Sequence, residues 1–243
     1  ECPELFQHLG REVPKLLHGP AGPVFSYRSP RMGAVPFTTS EAPTGEDTPV
    51  VASIRQRLRA CNTVLPRVEA AIAGLPGRDK FPDTAFGENL HAIAGMIHAG
   101  FPTRVYSVTQ TSYDSHSPGC GCQDEMLREL ALATRELINT LKRSGCDKEV
   151  LILASTEFGR RVHENASGGT DHGAATHWML LGSPVQGGMH GEHTSLEELN
   201  ENGNLKPNVD FRTVYAALLD QWFGSESEEV LGERLDAPRL VEG

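Results

Sequence analysis

The sequence lacks any apolar run of the ~18–20 residues that a membrane-spanning helix needs. Its first residues also lack the basic segment and apolar stretch of an export signal. A soluble chain is therefore expected, cytoplasmic or already relieved of its leader, with no membrane partner. Positive charge is in short supply: 22 Lys and Arg face 32 Asp and Glu, leaving a formal net charge of −10. A nucleic-acid backbone is a poor partner for such a surface. Cysteine is sparse as well. Cys2, Cys61, Cys120, Cys122 and Cys146 are too few and too irregularly spaced to staple a chain of 243 residues. The one close pair, Cys120 and Cys122, falls short of the four ligands of a zinc knuckle.

What remains is the composition of an ordinary globular protein, 38% hydrophobic with a mean hydropathy of −0.33. Its length suffices for one large core or two small ones. Charge is unevenly placed: residues 192–243 hold twelve acidic and four basic residues, so −8 of the net charge sits there. Residues 1–224 are read as one domain and 225–243 as a solvated acidic tail that buries little.

Residues 1–50 are rich in Pro and Gly and offer only short strand-like pieces such as 23–27. A helix is predicted from an N-cap at Asp47 or Thr48 to about Gly74, with Pro49 in its first turn and Val51, Ile54, Leu58 and Leu65 on one side. A second covers about 86–99, apolar at Leu90, Ile93, Ala94 and Ile97 and stopped by Gly100 and Pro102. TRVYSVT at 103–109 reads as a buried strand, and 124–142 as an amphipathic helix with Leu127, Leu130, Leu137, Ile138 and Leu141 on one face. EVLILAS at 149–155 reads as a fully apolar strand. A short strand at 178–181 and a final helix at 211–223 capped by Asp210 complete the set. Strand, helix, apolar strand is a βαβ unit, so the predicted core is a mostly parallel sheet covered by helices.

Open parallel sheets gather ligands at the carboxyl ends of their strands, and three polar clusters fall there. Asp114 and His116, in YDSH, would point the same way on an extended chain. Glu157 follows the apolar strand by two residues, and Asp171-His172 follow the turn SGGT. Singly, each is an ordinary capped turn or a surface ion pair. Jointly, they are the mixed oxygen and nitrogen set that binds Zn²⁺, Mn²⁺ or similar ions. His163, His177, His190 and His193 are spare candidates, while His8, His18, His91 and His98 read as structural or solvated. A nucleophile is not identified: Thr156, Ser167 and Thr170 lie near but in no strand-to-helix elbow.

YDSH, TEFGRRVHENASGGTDHG, LKPNVDFRTVYAALLDQWFG and the upstream HLGREVPKLLHGPAG together resemble a bacterial family of sulfatase-like proteins known as a domain of unknown function. The order strand, Asp-x-His, long helix, apolar strand, acidic residue, Asp-His-Gly also looks like the C-terminal half of the alkaline phosphatase and sulfatase superfamily. The resemblance implies a three-layer α/β/α sandwich with a mostly parallel sheet, incomplete at its N-terminus because no strand-plus-Asp unit precedes Thr103. It implies Asp114, His116, Asp171 and His172 as metal ligands, Glu157 as a further acidic contact and Arg160 as an anion contact. The ion would be zinc, manganese or calcium, and the substrate a small anionic ester. The implied activity is metal-dependent hydrolysis of phosphate or sulfate esters; the alternative is a non-catalytic metal-binding or scaffold protein without the nucleophile segment. Export to a bacterial periplasm is also implied.

Overall fold

The computed structural model describes residues 6–9, 25–27, 48–117 and 122–242. The fold is mixed α/β. In chain order the elements are β1 (Phe6–Leu9), β2 (Phe25–Tyr27), α1 (Pro49–Gly74), α2 (Ala85–His98), β3 (Val105–Val108), α3 (Cys122–Ser144), β4 (Ile152–Ala154), β5 (Gly159–Glu164), β6 (Thr170–Gly173), β7 (Met179–Leu181), α4 (Phe211–Leu218) and α5 (Ser227–Leu231). They fall into two compact units: Glu1–Thr111 with Gln123–Cys146, and Ser112–Cys122 with Asp147–Gly243.

The first unit follows its periodicity in part: Val51 and Leu127, read onto the apolar faces of α1 and α3, are exposed near the helix starts, and burial sets in further along. Thr48 caps α1 by accepting from the Val51 N–H, and Thr84 caps α2 by accepting from the Gly87 N–H. α1 and α2 pack together with Val64, Val68, Ala71, Leu90, Ile93 and Met96 buried. Gly95 permits the close approach, since a Cβ there would lie 2.9 Å from the Ala71 carbonyl oxygen. His91 is structural, as expected: it is buried, its Nε2 lies 3.1 Å from the Leu75 carbonyl and its ring sits edge-on to Phe81. Ala133, Leu137 and Leu141 bury one face of α3. β1 pairs in parallel with β2 on one side and β3 on the other.

The second unit departs from expectation. β3, α3 and β4 do not form a βαβ crossover, because β3 pairs with β1 while β4 pairs antiparallel with β7. The stretch after β4, for which no strand is predicted, is a hairpin in which β5 and β6 pair antiparallel. These short ladders do not make the three-layer sandwich with a mostly parallel sheet among the described residues. An apolar run announces a strand, and β3 and β4 are half-buried rather than fully so; it carries no information on which strand lies beside it. Cys120, one half of the Cys120–Cys122 pair, and most of residues 1–50 lie outside the described residues.

The acidic tail is also corrected. α4 ends at Leu218 and runs into a π-helical turn, Leu219–Phe223. Beyond it Leu240 and Val241 are buried against Ala217, with Leu151, Leu180, Val214, Trp222 and Ala237 around them. Gln221 Oε1 accepts the Leu240 and Val241 N–H groups, and Val241 bridges to Val185. Charge counting over the whole segment hid this apolar anchor near its end. Among the described residues no helix is long and apolar enough to cross a membrane.

Candidate metal centre

The hairpin β5–β6 and the irregular segment 112–117 of the second unit bring four of the predicted residues together. Asp114 Oδ1 lies 2.8 Å from His172 Nε2 and 2.9 Å from His116 Nε2, and the two Nε2 atoms are 3.1 Å apart. Asp171 Oδ1 approaches the other ring nitrogen of His116, Nδ1, at 3.3 Å. Among the described residues, Asp114, His116 and His172 form the one group of three or more metal-capable side chains with convergent ligand atoms. Asp171 stands behind His116. Glu157 is exposed and outside the triad, as are His163, His177, His190 and His193.

The local fold explains the convergence. Asn165 opens the turn of the hairpin: its Oδ1 accepts from the Ser167 and Gly169 N–H groups, and its backbone N–H donates to the Gly169 carbonyl. This is an Asx turn closed by Gly168 at φ 74°. The Asn165 Nδ2 then donates to the His116 carbonyl and to Asp171 Oδ1, both at 3.0 Å. One amide thus ties the turn, a ligand-bearing backbone and the carboxylate behind that ligand. Gly169 brings the turn against the same backbone, where a Cβ would lie 2.5 Å from the His116 carbonyl carbon and oxygen.

Two further side chains fix the triad. Phe158 stacks on His172 with ring centroids 3.8 Å apart and planes 9° from parallel. Arg160 donates to the Thr170 carbonyl at 2.8 Å and the Tyr113 carbonyl at 2.9 Å, and reaches Asp114 Oδ1 at 3.4 Å. Its guanidinium also lies over the Phe158 ring. Sequence reading singled out Arg160 as an anion contact; here its fork joins segment 112–117 to the hairpin. Asn165 and Phe158 were not singled out at all. The available signal for Asn165 was its place at the head of N-A-S-G-G, the pattern of an Asx turn, whereas nothing local marks a phenylalanine that stacks on a histidine fourteen residues later.

Electrostatics keep both carboxylates ionised. The hydrogen bond with His172 chiefly holds Asp114 below the usual carboxylate range, with His116 and Arg160 assisting. Asp171 is lowered first by the Asn165 amide and then by His116. A neutral imidazole carries one N–H, yet His116 presents a nitrogen to each of two carboxylates. If Nδ1–H serves Asp171, the Nε2 lone pair faces Asp114 at 2.9 Å. A second proton, or a cation that accepts both the lone pair and the carboxylate oxygen, resolves that repulsion. A carboxylate behind one histidine is the outer-shell arrangement of metal-ligating imidazoles. The residues therefore fit a divalent ion.

The comparisons with known proteins give one match. No curated protein and no solved structure matches the chain. A family model, described as a protein of unknown function, DUF1501, matches residues 64–234. Nothing in that match ties the chain to the alkaline phosphatase and sulfatase superfamily, so that resemblance is withdrawn; short motifs such as Asp-His-Gly recur too readily to establish kinship. With the greater part of its length matched, the chain belongs to the DUF1501 family.

Proposed function

We propose that this protein is a metal-dependent hydrolase of small anionic esters, phosphate or sulfate, whose divalent ion is held by Asp114, His116 and His172. The observation that supports it is the convergence of one oxygen and two nitrogen ligand atoms within about 3 Å of one another. Three protein ligands leave coordination open for water and substrate, as catalytic rather than structural sites do. A bound ion would supply Lewis acidity to the ester and a readily ionised water. The chain's residues do the positioning. Asp171 fixes the His116 tautomer, Phe158 orients the His172 ring, and Arg160 steadies Asp114.

A second reading is a metal-binding protein without turnover. It is favoured by Arg160, whose fork is engaged by Tyr113, Thr170 and Asp114, so the cation nearest the triad is committed to scaffolding. Titration with Mn²⁺ and Zn²⁺ and assays on aryl phosphate and aryl sulfate separate the readings. One bound ion, with hydrolysis lost in His172→Ala, is the expected result. One ion without hydrolysis selects the second reading, and no bound ion defeats both.

A further inference from the structure

We infer that Ser112 is a positioning residue of this site, and that its left-handed backbone torsion, not its hydroxyl, aims Asp114 and His116 at the hairpin. That role rests on the metal centre proposed above. Among the described residues Ser112 is the one residue other than glycine with a positive φ, 82°. An L side chain is crowded there. Glycine is at ease, asparagine is tolerated, and a β-branched residue is a true outlier. Such torsions persist only where the surroundings impose them, and they gather at functional sites. Ser112 is the first residue of the second unit. It lies four residues beyond the end of β3 and precedes the ligands Asp114 and His116 by two and four.

What imposes the torsion lies immediately downstream. Residues 113–117 form no helix or strand, yet the hairpin grips them at successive points. Arg160 donates to the Tyr113 carbonyl at 2.9 Å and reaches Asp114 Oδ1 at 3.4 Å. Asn165 Nδ2 donates to the His116 carbonyl at 3.0 Å, and Gly169 lies against the His116 and Ser117 backbone. Within the segment, the Ser115 N–H closes a tight turn onto the Tyr113 carbonyl at 3.0 Å. A chain fixed in this way from Tyr113 onward must meet that placement at its entry, and Ser112 absorbs the change of direction. Returning its φ to the ordinary negative region would swing both ligands off the hairpin. The Arg160 and Asn165 contacts offset the unfavourable torsion in the parent. A residue less tolerant of positive φ leaves the segment displaced for much of the time, and an ion then binds only the placed fraction.

Four substitutions separate torsion from hydroxyl, and they invert the usual ranking of conservative changes. Ser112→Gly and Ser112→Asn discard the hydroxyl but accept the torsion. Ser112→Thr keeps the hydroxyl and adds a β-branch, and Ser112→Val adds the branch alone. In calorimetric titration of the full chain with Mn²⁺, the first two should bind within about threefold of the parent. The two branched variants should bind about tenfold or more weakly, with circular dichroism showing the fold intact. Parental affinity in folded Ser112→Thr would overturn the inference while leaving the metal centre standing. A tenfold loss in Ser112→Gly and Ser112→Asn would also overturn it, by assigning the role to the hydroxyl; this arm decides the matter even where the branched variants do not fold. A folded parent that takes up neither Mn²⁺ nor Zn²⁺ would overturn the metal centre and this role with it.

Discussion

Gly169→Ala tests whether backbone approach, rather than ligand identity alone, makes the metal centre. A Cβ at residue 169 would stand 2.5 Å from both the carbonyl carbon and oxygen of His116 and 2.7 Å from the Ser117 nitrogen. Ordinary contact begins at 3.4 Å, so the two backbones must separate by about 0.9 Å. Nothing flexible absorbs this, because every atom struck belongs to the main chain. Gly169 is not among the glycines with positive φ, so alanine is opposed there by space and not by torsion. Overpacking of this kind costs about 1–3 kcal/mol, and a chain of this size loses about 2–4 °C of Tm per kcal/mol. The larger effect falls on the site, where ligand distances are tolerant to only about 0.2 Å. Displacing His116 while stretching the Asn165 hydrogen bonds should weaken ion binding by about 10–100-fold. Calorimetric titration with Mn²⁺ or Co²⁺, paired with thermal unfolding, measures both. Gly187→Ala serves as control, since a Cβ there meets nothing within 4 Å. Parental ion affinity in Gly169→Ala would refute the claim that this contact positions His116.

Three other outcomes are expected. Asn165→Asp keeps the acceptor for the Ser167 and Gly169 N–H groups but loses the donor to His116 and Asp171; ion affinity should fall about tenfold with little change in the circular dichroism spectrum, and an unaltered affinity would show the amide to be incidental. Leu240→Ala should destabilise the second unit by about 2–4 kcal/mol in urea unfolding, whereas a freely solvated tail would lose almost nothing. Burial chiefly lowers the His91 pKa below its ordinary 6.5, aided by the Arg78 charge and opposed by the Leu75 carbonyl. Its folded value thus lies below its unfolded one, so its contribution is complete above pH 6.5 and is lost as pH falls through the folded pKa. Tm measured from pH 7.5 down to 5 should show this loss in the parent and not in His91→Gln, and parallel curves would disprove it.

Short-range signals proved reliable where the physics is short-ranged. Thr48 and Pro49 open α1, Gly100 follows α2, and Asp210 caps α4, because a cap or a stop is settled within one helical turn. The tail misled because net charge averages over residues, while docking depends on two, Leu240 and Val241. Asp114, His116, Asp171 and His172 were visible as candidates by residue type. The reason first given for their meeting, a parallel crossover between neighbouring strands, does not hold, since β3 and β4 lie in different ladders.

By itself, then, the sequence determined helices α1 to α4, the places of strands β3, β4 and β7 and the inventory of ligand-capable side chains, all of which rest on periodicity, capping and side-chain chemistry over a few residues. Tertiary structure alone decided which strands pair and that Glu157 stands apart. It also made Asn165 and Phe158 the supports of the site. Those outcomes depend on contacts distant in sequence, such as Phe6 paired with Val105 or Asp114 beside His172, and no local window contains both partners.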